Sequence, residues 1–197
     1  GYNSSLSLAH RLAKQFDFTR FHKWLDLGGG SGCYSIAACE RSPGLKTVIM
    51  DLPNVLKVTR EFVAKHGLEE RIDIMEGNFF ETDYPRDCDL VSFVTPLQSY
   101  MPDNVIKAIG RASDAVLPGG SVLVVDYMLR DDKSGPLDSA WFNLQGVRNG
   151  EYMGRVNSGA EFTGYMEAVG LTDVRVEWLM SHQLGWVEGK KPRAVPG

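Results

Sequence analysis

Four glycines in five residues, in the run Asp26-Leu27-Gly28-Gly29-Gly30-Ser31-Gly32, separate an apolar stretch of strand length from a segment of helical period. Glycines at such a joint let the backbone turn sharply and come close to a ligand, while free N–H groups and the positive end of the helix face the crevice. The next apolar run ends at Asp51, 23 residues after Gly28. That is close to the offset of about 20 residues at which a carboxylate holds ribose hydroxyls. Glycine loop and acid together describe an adenosine-type site.

The rest of the chain supports a sheet that can carry this joint. Runs of strand length at Trp24–Leu27, Thr47–Asp51, Ile72–Glu76, Leu90–Val94 and Ser121–Asp126 alternate with helical segments at Tyr34–Arg41, Val55–His66 and Asn104–Leu117. This is the pattern of a parallel sheet with crossover helices. After a polar loop at Arg130–Pro136, a helix is expected over Leu137–Val147 and an irregular stretch over Asn149–Gly159. A last helix follows over Gly159–Val169, with Ser158 and Glu161 at the spacing of a capping box. Thr172–Trp178 and His182–Val187 are joined by a few residues and are expected to pair antiparallel. The expected fold is α/β, a doubly wound seven-stranded sheet whose last strands are antiparallel. Residues 1–23 are expected to form a helical lead-in and 24–197 the ligand-binding domain.

Composition narrows the function. Lys and Arg total 21 against 25 Asp and Glu, a net charge of −4, which offers no overall basic field for a nucleic-acid partner. Cys33, Cys39 and Cys88 form no C-x-x-C pair and suggest neither a disulfide framework nor a metal site. No signal-peptide core and no membrane-length apolar run is present in the sequence, so a cytoplasmic protein without a membrane partner is expected.

Two ligands compete for the glycine loop. A dinucleotide fingerprint would use Gly28 and Gly30 and then require a small residue where Cys33 stands. S-adenosylmethionine presents an ammonium group, which gives Asp26 a direct use. A nucleotide-dependent oxidoreductase and a methyltransferase are the corresponding functions.

The ordered set of motifs resembles the class I S-adenosylmethionine-dependent methyltransferases, and within them the catalytic domain of the small-molecule O-methyltransferases of caffeate and polyketide type. It comprises the glycine loop, Asp51-Leu52-Pro53, Glu76-Gly77-Asn78-Phe79-Phe80-Glu81, Leu97 to Asp103, and Leu117-Pro118-Gly119-Gly120 followed by Val125-Asp126. The resemblance implies a Rossmann-like methyltransferase using S-adenosyl-L-methionine, with S-adenosyl-L-homocysteine as product and a small molecule as methyl acceptor. It places Asp26, Gly28, Gly29, Gly30 and Gly32 at the methionine end, Asp51 at the ribose, Asn78 and Phe79 beside the adenine, and counts Leu52 among the cofactor-binding residues. The family usually has Asp where Asn78 stands; the Asn carbonyl can still accept from the adenine amino group.

The resemblance also locates a departure. The family's His base lies in a Leu-His-Asp-Trp stretch, and here the sequence reads Leu97-Gln98-Ser99-Tyr100. Gln98 has no titratable nitrogen, so it cannot deprotonate a phenol or alcohol near neutral pH. The acceptor is then a thioether, an acidic enol or a carbon nucleophile, or the domain binds its ligand and transfers nothing. Tyr100 is a candidate hydrogen-bond donor or pocket wall, and Glu161 matches a family acid near the His while also serving the capping box. Asp138 matches another family acid. Trp141, Phe142, Tyr152 and Met153 are candidates for the acceptor pocket, and Arg148 and Arg155 for holding an acceptor carboxylate. The family normally carries an N-terminal helical domain that dimerises and closes this pocket, so a homodimer is expected only if such a domain precedes this chain.

Overall fold

Alternation of apolar side chains along the central strands gives the sheet two faces to bury, and the helices divide between them. In the computed structural model, which describes residues 2–137, 139, 141, 154–179 and 183–195, the chain begins with α1 (Tyr2–Gln15). It continues through β1 (Lys23–Leu27), α2 (Cys33–Arg41), β2 (Lys46–Asp51), α3 (Pro53–Lys65), β3 (Ile72–Glu76), β4 (Leu90–Val94), α4 (Pro102–Ala115) and β5 (Ser121–Leu129). A two-residue strand β6 (Asn157–Ser158), α5 (Gly159–Ala168), β7 (Thr172–Trp178) and β8 (Leu184–Lys190) complete it.

The strand order is β3-β2-β1-β4-β5-β8-β7, parallel through β5 and antiparallel for β8 and β7. Leu25, Leu27, Val91, Phe93, Val122 and Val124 face one side and pack with Val105 and Ile109 of α4 and Phe162 and Met166 of α5. Trp24, Leu90, Val94, Leu123 and Val125 face the other, against Leu12 and Phe16 of α1, Ile36 of α2 and Leu56 and Val63 of α3.

The sheet agrees with the expected fold class and differs in detail. β6 adds a short eighth strand by pairing with the end of β5, which therefore runs past Asp126 to Leu129. α3 and α4 each start two residues earlier than periodicity suggests, because Pro53 and Pro102 occupy first-turn positions where the missing N–H costs nothing. β8 begins at Leu184 and extends to Lys190, held by pairing with Ser121 at the start of β5. Most of the expected helix at 137–147, with Asp138, Phe142, Arg148, Tyr152, Met153 and His182, lies outside the described residues.

Candidate active site

Strand order reverses direction between β1 and β4, and ligands of open α/β sheets bind at such a point, outside the C-terminal ends of the strands. The glycine loop leaves β1 there. Gly30 has φ +56°, a region that side chains disfavour, and a Cβ built on it would meet nothing within 4 Å, so the loop faces open space. Two side chains fix the loop from opposite sides. The Gly30 N–H donates to Asp51 Oδ2 at 2.8 Å, and the Thr59 hydroxyl of α3 donates to the Gly30 carbonyl at 2.6 Å. Asp51 Oδ1 accepts from the Leu52 N–H at 2.7 Å, which leaves further lone pairs on a partly exposed carboxylate. Leu52 is exposed beside it, at the head of α3.

Asp26 does not line this crevice. Its carboxylate is fully buried beneath the loop, where Ser35 Oγ donates to it at 2.8 Å and Ser92 Oγ at 3.3 Å. Trp24 Nε1 in turn donates to Ser92 Oγ at 2.7 Å. A Cβ on Gly29 would stand 2.8 Å from Asp26 Oδ2, so the loop closes directly over the acid. The expected contact with a ligand ammonium is thus corrected to a supporting role, because alternation in β1 turns residue 26 toward α2 rather than toward the strand ends. Burial, reinforced by the negative charge of Asp51 and opposed by the two serine hydroxyls, pushes the Asp26 carboxyl up to about 7.

The far wall of the crevice is aromatic. Gly28 lies under Pro96 and the Phe79 ring, with a built Cβ 3.5 and 3.7 Å away respectively. Phe79, Phe80 and Tyr100 pack edge to face or tilted, with centroid separations of 4.7 to 5.8 Å. The Tyr100 phenol is held above its ordinary value by burial and then by the charge on Asp51. Asn78 opens the turn that carries Phe79, and its Oδ1 accepts from the Phe80 N–H at 2.9 Å. The side-chain carbonyl expected to meet an adenine amino group therefore already serves this turn, because an Asx-type oxygen so close to the backbone caps it locally. Arg111 of α4 clamps the same turn, donating to the carbonyls of Phe79 at 3.1 Å and Thr82 at 2.6 Å. Arg111 has no motif signal in the sequence; only packing brings it here.

Gln98 sits in the one-turn segment Leu97–Ser99 after β4. Its side-chain oxygen is buried without a partner, as is Oδ2 of Asp126 at β5. The backbone of Gly154 presses on this segment, since a Cβ there would lie 2.2 Å from the Gln98 carbonyl. Glu161 is otherwise engaged. It completes the capping box with Ser158, each accepting from the other's N–H, and it pairs with Lys133 and with Arg155 at 2.8 Å. Its expected place among the catalytic groups is corrected to that of a helix-terminus anchor, and Arg155, an expected acceptor-binding residue, is its partner. Trp141 is half exposed, at 51%.

The family-model comparison decides the assignment. Residues 2–172 match the model of the O-methyltransferase domain. The chain belongs to this family. It is 32% identical over 174 residues to a 3-hydroxy-5-methyl-1-naphthoate 3-O-methyltransferase of Streptomyces sahachiroi, covering 88% of this chain and 50% of that protein. It is 30% identical over 143 residues to an L-tyrosine C(3)-methyltransferase of Streptomyces lavendulae, covering 71% of this chain and 39% of that protein. The crystal structure of the S-adenosylmethionine-dependent methyltransferase SibL in its apo form superposes with a TM-score of 0.88 at 32% identity, over 98% of this chain and 57% of that one. This O-methyltransferase-family chain spans about half the length of the curated relatives it matches.

Proposed function

We propose that this chain transfers a methyl group from S-adenosyl-L-methionine to a small-molecule acceptor. The observation that carries the reading is the open space over Gly30 at the switch point, bounded by the Asp51 carboxylate and the aromatic wall. The relatives add support, since both O- and C-methyltransferases are among them. Within residues 24–197 we assign the cofactor site to Gly28, Gly29, Gly30, Gly32, Asp51, Leu52, Asn78 and Phe79. Residues 1–23 form the lead-in, and its α1 lends Leu12 and Phe16 to the core.

The residues present fit the cofactor by their chemistry. Asp51 keeps lone pairs for hydroxyl donors, Leu52 and Phe79 offer apolar surface for a flat ring, and the loop backbone at Gly30 stands clear of side chains. When bound, S-adenosylmethionine supplies a sulfonium methyl as electrophile. Gly28 to Gly32 and Asp51 orient that ligand, Phe79 and Tyr100 exclude water from it, and Gln98 faces the acceptor without taking a proton. Orientation alone supplies ~7 to 11 kcal/mol of acceleration in favourable cases. We therefore assign the acceptor to nucleophiles that need no base from residue 98: a thioether, an acidic enol or a carbon nucleophile.

Isothermal titration with S-adenosylhomocysteine, then mass spectrometry of products from candidate thioethers, enols and phenols, tests this. Binding with methylation of thioether or enol acceptors is expected. Binding with no product in any class would favour a ligand-holding domain, consistent with the Gln at position 98, and no binding would refute the reading altogether. Gln98→His is expected to gain activity on phenols.

A further inference from the structure

Of the connections that join β1 through β5, the one from β3 to β4, residues 77–89, contains no helix among the described residues, yet it carries the Phe79 ring. A segment without a regular hydrogen-bond ladder is held in place by side chains or not at all. Most of its bonds are local. Thr82 Oγ1 accepts from the Asn78 N–H at 2.9 Å, Asn78 Oδ1 accepts from the Phe80 N–H at 2.9 Å, and the Glu81 and Thr82 N–H groups donate to the Asn78 carbonyl at 2.9 and 2.8 Å. These bonds close the turn on itself and leave its seat against the sheet open. Among the described residues, the hydrogen bonds that reach 78–84 from elsewhere in the chain come from one side chain, Arg111 of α4. Its Nε donates to the Phe79 carbonyl at 3.1 Å and its Nη2 to the Thr82 carbonyl at 2.6 Å. The guanidinium lies over the Tyr84 ring, 4.9 Å from its centroid, and the Tyr84 hydroxyl donates to the same Phe79 carbonyl. No carboxylate pairs with Arg111 among the described residues, so this turn is what its guanidinium serves. The Phe79 ring in turn meets Phe93 and Tyr100 edge to face at 5.5 and 5.8 Å, and Gly28 of the loop lies under it.

We propose that Arg111 is a positioning residue for the cofactor: by fixing the Phe79 carbonyl from α4, it holds the Phe79 ring as the wall against which the cofactor's purine lies. The role rests on the methyl-transfer reading above and divides that site in two. Asp51 and the glycine loop orient the ribose and the amino-acid end, while Arg111, remote from both in sequence, serves the base alone. Two carbonyls three residues apart call for two donors at a fixed separation. The planar guanidinium offers them in a rigid fork, whereas a Lys ammonium is a compact charge on a flexible stem. Without the fork the turn keeps its local bonds and loses its tie to α4, so the ring shifts or samples several positions and the base loses its packing surface.

The test combines calorimetry of S-adenosylhomocysteine binding to the whole chain with saturation-transfer NMR of the bound ligand, which reads how closely each part of it contacts protein. Arg111→Ala is expected to weaken binding by about tenfold or more, because hydrogen bonds from a charged donor are lost. Saturation transfer to the purine protons, taken as a ratio to that of the homocysteine protons, is expected to fall in the same variant. Arg111→Lys should show both effects at smaller size, and it decides the matter if the Ala variant does not fold. Unchanged affinity in a folded variant overturns the proposal. A loss of affinity with the ratio unchanged overturns it too, since a merely structural role would loosen the whole site and leave the balance between its ends alone. A wild-type chain that does not bind S-adenosylhomocysteine refutes the methyl-transfer reading itself and this role with it, a result distinct from wild-type binding that the Arg111 variants leave intact.

Discussion

Replacing Asp26 with Asn probes the foundation of the glycine loop. Asp26 is fully buried and its carboxyl is raised from the ordinary 3.8 to about 7, chiefly by burial. Because the folded chain holds this proton more tightly than the unfolded chain, the stabilising contribution is complete at low pH and is lost as pH rises through the window from about 4 to about 7. Each pH unit in that window is worth ~1.4 kcal/mol, so the whole window amounts to ~4 kcal/mol, and the part between pH 5 and pH 7 to roughly 3 kcal/mol. Asn keeps the shape and has no proton to lose, and the Ser35 and Ser92 hydroxyls can turn to accept from its amide. Urea unfolding followed by tryptophan fluorescence at pH 5 and pH 8 gives the stability difference between variant and wild type at each pH. That difference should move in favour of Asn by roughly 3 kcal/mol on going to pH 8. Taking differences cancels Asp126, which is raised in the same sense and is present in both proteins. A difference that stays constant within ~0.5 kcal/mol would show that Asp26 is ionised in the folded chain and that the buried network has been misjudged.

Other perturbations separate loop, acid and helix cap. Asp51→Ala should weaken S-adenosylhomocysteine binding by ~1 to 3 kcal/mol in calorimetry, because it removes charge-assisted acceptors and releases the Gly30 N–H; unchanged affinity would place the ligand elsewhere. Gly30→Ala should cost ~1 kcal/mol of stability from its φ of +56° alone, and a larger loss of ligand affinity because its Cβ enters the crevice; equal losses in thermal melts and calorimetry would argue against a ligand over the loop. Glu161→Ala should lower stability by ~1 to 2 kcal/mol at pH 7, through the lost capping box and ion pairs with Lys133 and Arg155. Burial raises the Glu161 carboxyl, but the Lys133 and Ser158 donors outweigh it and the net is a lowered value. Its contribution is therefore present above the ordinary carboxylate range and fades as pH falls through the lowered value, so the variant and wild type should converge in acid melts.

What the sequence determined by itself is local or periodic. The glycine run, the Asp51 offset and the alternating apolar runs are properties of neighbouring residues, and they suffice for the doubly wound sheet and its switch-point crevice. Ser158 and Glu161 were legible as a capping box for the same reason, since three residues of helix bring them together. Tertiary structure decided what those groups are free to do. Asp26 reads as a ligand carboxylate until the packing of α2 on β1 buries it against Ser35 and Ser92, and Glu161 reads as a family acid until Lys133 and Arg155 occupy it. Gln98 announced the missing base, yet the burial of its side-chain oxygen without a partner comes from the packing of the segment after β4 on the end of β5. A residue's chemistry is written in its type, but its protonation and its availability depend on which distant groups exclude water from it.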